Sequence, residues 1–512
     1  AAPLMTKVTS LRRTMKMNAY AEVLKQLLQY TETKYSVLSQ AIDYDMSYIS
    51  KWVNGARLPA SRHADRINED MARFFAETAE KEGLHQDIER AFSFADDGQD
   101  LTFHLYDLLS RAYRQALAQN GKGRSKSETK GSGIQLYTTR ADCHTALQQL
   151  LTEHIEGLQE QGSLVMTGQF HVLDQNGVWK MLENCRNDHW SCNINLGLKM
   201  DEFAARMPQS ASRLYQCLDH LLTYNFTLHE IGHEAYRNMI VLKDAFAYCY
   251  YVDNDDYIDI CLVITDREQV REIYKKCCAF LMVQPVLMEP RQSLGMERFG
   301  YRDIFFTSNN YLFFLTNGLE FLLPDEVYDS LSRLIDAGQY PNATKDWIRR
   351  IQCIWYRIIE QGRMKIMMPK NSIIRYLETG SFYLTDMNYQ MAPDERRAQL
   401  NLIVEKMKQN RAITLGILLP ASGKSSYTNF TNLAFYGNYT SAFFKKNTHH
   451  IFPQTAPIYL LRSDSLIACM HDFFEGLSRQ PQYKEFSADN VEALRSLITP
   501  LMTVLTEEDS PS

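Results

Sequence analysis

The chain has 512 residues, a formal net charge of −6, 45% hydrophobic residues and 23% charged ones. That length exceeds one ordinary core, so several domains are expected, and the balance is that of a globular protein rather than a disordered or fibrous one. No apolar run is long enough to cross a bilayer, so a helical membrane protein is not expected.

The opening stretch, "AAPLMTKVTSLRRTMKMNAY", is charged and lacks the apolar core and small-residue cleavage site of a secretory signal. The ten cysteines include no C-x-x-C pair and read as reduced, mostly buried thiols. The expected compartment is therefore the cytoplasm. Charge is unevenly spread. Residues 1–133 carry 19 Lys and Arg against 17 Asp and Glu, while the remainder carries 36 against 44, giving +2 and −8. A near-neutral to basic head on an acidic body suits a small nucleic-acid reader on a larger regulatory part.

The first predicted helix, "AYAEVLKQLLQYTE", places Val23, Leu24, Leu27 and Leu28 on one stripe. In "KYSVLSQAIDYDMSYISKWVNGARLP", residues 34–59, Leu38, Ala41 and Ile42 give a short helix its buried face. "DYD" interrupts it, and Asp45 is suited to cap a second helix starting at Met46. Ile49, Trp52 and Val53 form that helix's apolar side, Gly55 ends it, and Pro59 lies just beyond. A further helix follows in "ASRHADRINEDMARFFAET". Two short helices meeting across a tight polar turn, between longer ones, are helix-turn-helix geometry.

Residues 18–78 resemble the lambda-repressor/Cro-like, or XRE, family of helix-turn-helix domains. The pattern of a second-helix Leu, a turn, then I-S-x-W-x-x-G-x-x-x-P is met by Leu38, Ile49, Ser50, Trp52, Gly55 and Pro59. Asp43 stands where the turn Gly is usual, Ser39 at the small second-helix position, and Val53 where Glu is common after the Trp. Lys34 and Tyr35 replace the usual Thr-Gln, which touches a familiar phosphate contact. The resemblance implies that the second helix of the pair enters a major groove. It would present Ser47, Tyr48, Ser50 and Lys51, with Ser47, Tyr48 and Lys51 at base edges and Lys51 suited to guanine. Asn54, Arg57, Lys34 and Tyr35 are its phosphate-side candidates. It also implies double-stranded DNA as partner and a homodimer, since two half-sites multiply modest affinity.

"LTFHLYDLLSRAYRQALAQ" carries Leu101, Leu105, Leu108, Leu109 and Ala112 on one face, suited to dimerisation or equally to packing on its own domain. The Gly/Ser/Lys-rich stretch 118–133 reads as a flexible linker. The domain organisation expected is thus an all-α helical head over 1–117, the linker, and a two-lobed α/β or α+β body with lobes at 134–290 and 291–512.

Within the body, "SLVMTGQF", "MIVLKDAFAYCYYV", "YIDICLVIT", "RDIFFTS", "YLFFLTN", "AITLGILLP" and "APIYLLRS" read as strands. Helical stretches lie between them: "ADCHTALQQLLTEHIEGLQEQ", "REQVREIYKKCCAFLMV", "PDEVYDSLSRLIDAG" and "ERRAQLNLIVEKMKQN". "IDICLVITDREQVREIYKKCCAFL" and "PIYLLRSDSLIACMHDFFEGL" share a strand, Asp turn, helix pattern that suggests two related lobes.

Several motifs invite chemistry. "LHEIGHEAY" contains H-E-x-x-H at His229, Glu230 and His233. On a helix the two histidines share a face and ligate zinc, with Glu230 as general base. Against this, Glu234 follows the second His, no third-ligand pattern follows, and "NFTLHEIG" is compatible with a strand. The peptidase is thus the alternative reading, and no cofactor is the main one. "LLPASGKSS" has Leu418 where a P-loop needs Gly, and reads as a polar loop. Cys185, His189 and Cys192 match no common zinc spacing. Asp253, Asp255 and Asp256 lack a calcium loop's Gly and distal Glu and read as a hairpin turn. No H-x-K spacing of a phosphodiesterase occurs. The 29 Tyr and 25 Phe are mostly core, with some placed to line a ligand pocket. The function expected is a sequence-specific DNA-binding transcriptional regulator whose body senses an effector, a small molecule or peptide, or a partner.

Overall fold

The computed structural model describes residues 18–60, 63–92, 94, 100–119, 133–185, 187, 189–232, 238–293, 304–316, 318–341, 343–384, 387–419 and 432–507. The chain forms two compact units. One comprises Ala1–Gln148, Gln175–Gly177 and Tyr250–Leu262, the other Gln149–Asp174, Val178–Cys249 and Val263–Ser512. No helix among the described residues is long and apolar enough to cross a membrane.

The first unit begins with α1 (Ala19–Tyr30), α2 (Tyr35–Ala41), α3 (Met46–Val53), α4 (Ala64–Lys81), α5 (His85–Ala91) and α6 (Leu101–Gln119). Each turns its apolar stripe inward: Leu24, Leu27 and Leu28 from α1, Leu38 from α2, Ile49, Trp52 and Val53 from α3, and Ile67, Met71 and Phe75 from α4 share one core. Ala41, expected in that core, is exposed, because Ile42 one residue on makes the contact instead. Leu101, Leu105, Leu109 and Ala112 of α6 are buried in the same core. The stripe on α6 is therefore used within its own unit. Asn68, 1% exposed, anchors three helices: it accepts from the Tyr20 hydroxyl at 2.7 Å and donates to Ser110 at 3.4 Å. Buried amides persist in cores only when paired in this way.

Beyond the helices the strands are β1 (Ile134–Tyr137), β2 (Gly162–Thr167), β3 (Cys192–Leu198), β4 (Asn225–Glu230), β5 (Met239–Leu242), β6 (Phe246–Val252), β7 (Ile258–Ile264) and β8 (Val286–Arg291). They continue with β9 (Asn310–Phe314), β10 (Arg363–Pro369), β11 (Ser381–Leu384), β12 (Met387–Gln390), β13 (Ile413–Leu418), β14 (Leu433–Gly437), β15 (Ala442–Lys446), β16 (Ile458–Leu461) and β17 (Tyr483–Phe486). Ile304 and Phe305 of "RDIFFTS" are helical rather than extended. Their apolarity serves aromatic packing, with Phe305 5.0 Å from Phe443 and Phe306 5.5 Å from Trp355.

The second unit is built on a large mixed sheet whose pairing occurs twice. First, β2 is parallel to β3 and β3 to β4, while β5 lies antiparallel to β2, β6 to β5, and β8 to β4. Then β9 is parallel to β10 and β10 to β13, while β14 lies antiparallel to β9, β15 to β14, and β17 to β13. The chain order matches as well as the pairing. Each set has its Asp-turn helix, Arg267–Met282 before β8 and Asp464–Leu477 before β17. The two sets join where β8 pairs antiparallel with β16. Register places Lys199 and Lys370 at equivalent positions just after β3 and β10.

Buried polar groups pin this sheet. Lys446, 0% exposed, donates to the Leu222 carbonyl at 3.1 Å and the Tyr224 carbonyl at 2.8 Å. Burial drives its ammonium well below the usual lysine range. Its neighbour Lys445 pairs with Glu320, which also accepts from the Tyr436 hydroxyl at 2.7 Å. Adjacent lysines thus leave β15 on opposite faces, each satisfied.

Candidate nucleic-acid interface

The α2–α3 segment is shaped by four local choices. Asp43 takes φ 54° and makes the tight turn, a conformation Asp tolerates better than most residues. The Asp45 carboxylate accepts the Ser47 amide at 2.8 Å and caps α3. A hydrogen bond from the Ser47 side chain, together with that backbone bond, holds its carboxyl below the usual range. Gly55, at φ 71°, ends the helix where a side chain would crowd Asn18. Asn18 meanwhile accepts from the Ala21 amide at 2.9 Å and donates to the Gly55 carbonyl at 3.3 Å. One side chain therefore caps α1 and fastens the end of α3 to it.

This fixes which way α3 faces. Ile49, Trp52 and Val53 are buried, with Trp52 against Tyr44 at 5.4 Å and Tyr48 at 6.3 Å. Ser47, Tyr48, Lys51 and Asn54 are exposed on the other side, and Ser50 is half-buried. Lys51 lies over the Tyr48 ring at 5.3 Å, and Asn54 donates to the Ser50 hydroxyl at 3.3 Å. Lys34 and Arg57 are exposed at the two ends of the segment, and Tyr35 is half-buried. All eight sequence-derived residues thus belong to one short segment, with three cations among them. Two exposed apolar side chains escaped the sequence reading: Val37 at 48% and Met46 at 53%. Sequence signalled them only as apolar residues off the core stripe. With Tyr48, they give the surface groups able to pack on thymine methyls.

The segment's exit is tied back too, where the Tyr113 hydroxyl of α6 donates to the Pro59 carbonyl at 2.9 Å.

The other motifs are placed as follows. His229 and Glu230 end strand β4, so the helical geometry that brings two histidines to one face is not present there. His233 lies outside the described residues, as does the Gly423-Lys424-Ser425 stretch. The two stretches fall in the same connection of the repeated topology, between β4 and β5 and between β13 and β14. His229 is 6% exposed, burial lowers its pKa, and its Nδ1 has no partner among the described residues. Cys185 and Cys192 are buried, and burial pushes their thiols up to about 11 and about 12. His189 is exposed, with its carbonyl accepting from Gln454. Among the described residues no group of three or more His, Cys, Asp or Glu is placed to hold a metal. Asp253 accepts the Asp255 and Tyr257 amides at 2.9 and 3.0 Å, closing the β6–β7 turn.

No family model matches the chain, and no curated protein matches it. Among solved structures, it is similar to a phosphatidylserine synthase from Haemophilus influenzae Rd KW20 at 11% identity, covering 73% of this chain and 92% of that one, with a TM-score of 0.23. It is also similar to TrmBL2, an archaeal chromatin protein with a novel mode of DNA binding, at 10% identity over 52% of this chain and 100% of that one (TM-score 0.21). NucT from Helicobacter pylori is 10% identical over 30% of this chain and 96% of that one (TM-score 0.22). Likenesses at these scores establish neither a shared fold nor an activity.

Proposed function

We propose that this chain is a sequence-specific DNA-binding transcriptional regulator of the XRE helix-turn-helix kind, acting as a cytoplasmic homodimer whose body responds to an effector. The observation that supports it is the division of α3 into a buried face of Ile49, Trp52 and Val53 and an exposed face of Ser47, Tyr48, Lys51 and Asn54. A helix held by its apolar side and presenting hydroxyls, an amide and an ammonium outward has the chemistry of groove readout. Lys34 and Arg57 at the flanks suit phosphates. An effector that prefers one arrangement of the body shifts how well two heads match their half-sites.

Gel-shift and footprinting with full-length protein test this on upstream sequences. Tyr48→Ala and Lys51→Ala each weaken specific binding by about tenfold or more, the worth of a good base contact. Arg57→Ala weakens specific and non-specific binding alike and lowers the salt slope by about one. No protection at low salt by the full-length protein contradicts the reading.

A further inference from the structure

A cavity of about 360 Å³ opens between the helices Lys370–Thr379, Pro393–Gln409 and Val491–Glu507. Packed interiors contain few voids larger than a water molecule, and this volume falls at the small end of small-molecule sites. Its wall is carbon: Ile373, Leu400, Val404, Leu494 and Ile498 line it. The Tyr376 ring adds to the wall, while its hydroxyl is engaged by Gln399.

Polar groups in the lining include Arg397, Arg495 and Asn401. Both guanidiniums are solvent-exposed and loosely held. Arg397 lies 3.8 Å from Asp394, and Arg495 lies 3.4 Å from Glu492 and 3.4 Å from the Asn401 side chain. Long, solvated ion pairs of this kind exchange readily for a better-placed anion. Arginine's planar fork suits a carboxylate held by two parallel hydrogen bonds.

We propose that this cavity binds an acyl carboxylate, its unbranched chain against the aliphatic wall and its head on Arg397 and Arg495. The regulatory meaning of the site rests on the effector-sensing reading above; binding itself does not. Apolar walls give the chain its driving force, and the two guanidiniums in the lining give its carboxylate a partner. The volume admits a medium-length chain and excludes a folded peptide.

Isothermal titration of full-length protein, without DNA, is the test. Decanoate is the probe, used below its micelle-forming concentration, with decanol as the uncharged analogue. Saturable binding of one decanoate per chain is expected, with decanol weaker. The double substitution R397Q/R495Q, on exposed side chains, lowers decanoate affinity by about tenfold or more and leaves decanol unchanged. Leu400→Trp, at a half-buried position, fills the cavity and abolishes both. No saturable uptake at millimolar decanoate overturns the proposal, as does equal affinity for acid and alcohol or unaltered decanoate binding by R397Q/R495Q. Because DNA is absent from the cell, decanoate binding by a protein that protects no DNA upholds the cavity and sinks only the regulator.

Discussion

Trp52 is 2% exposed and is wedged between α3 and the core formed with α1 and α4. Truncating it removes that anchor and leaves a void, so Trp52→Ala is expected to cost about 3–5 kcal/mol, read as a lowered denaturation midpoint. Tyr48 and Lys51, a residue or a few away, touch solvent, and their removal changes binding with little effect on that midpoint. The contrast would separate a folding residue from a proposed reading one within the eight residues of α3. Asp219 is a second case, in the other unit. Burial raises its carboxyl from 3.8 to about 6, against the two backbone amides of Asn432 and Leu433 that favour its charge. A raised folded pKa contributes stability that is present below the unfolded value and lost as pH rises through the folded one. Stability therefore falls between about pH 4 and pH 6, by roughly 3 kcal/mol for a shift of this size. Asp219→Asn abolishes that slope, so the variant gains on wild type as pH rises from about 4 to 7; parallel curves contradict the assignment.

Among elements, the Arg140 cluster is the clearest structural clamp of the first unit. Its guanidinium reaches Asp253 at 2.5 and 2.8 Å and Glu69 at 3.4 Å, and lies 4.7 Å from the Tyr257 ring centroid and 5.8 Å from that of Tyr106. One side chain thus joins α4, α6 and the β6–β7 turn. Arg140→Ala leaves two partly buried carboxylates facing each other and is expected to cost about 2 kcal/mol, with faster amide exchange in α4 and in the 253–257 turn. Local signals made most of this unit legible from sequence: the Asp45 cap, the Asp43 turn, Gly55 and the apolar stripes all act within one or two helical turns. The Asn18–Gly55 and Arg140–Asp253 contacts were not legible, because they join residues 37 and 113 positions apart. The same limit hid β10. "RMKIMMP" is weak in β-branched residues, and it is a strand because β9 and β13 flank it in parallel on both sides. "RDIFFTS", rich in strand formers, became a helical turn under the opposite pull of aromatic packing.

Across the whole molecule, the shared Asp-turn helices seen in the sequence belong to a wider repetition that only strand pairing reveals. Two sets of strands with the same order and direction place the H-E-x-x-H stretch and the Gly-Lys-Ser stretch in corresponding connections. Resemblance to catalytic motifs there rests on five or fewer residues, and at His229 and Glu230 the backbone is extended rather than helical. In the function proposed above, α3 reads DNA and the body senses an effector. That assignment fails or stands on whether α3 contacts bases. The most direct measurement is footprinting of duplexes selected from a random pool by the full-length protein, at low salt, with wild type compared against Tyr48→Ala and Lys51→Ala. A two-fold symmetric protected site is expected, with affinity dropping about tenfold or more in each variant and folding unchanged. Selection that enriches no sequence, or an enriched site that both variants bind as tightly as wild type, contradicts it.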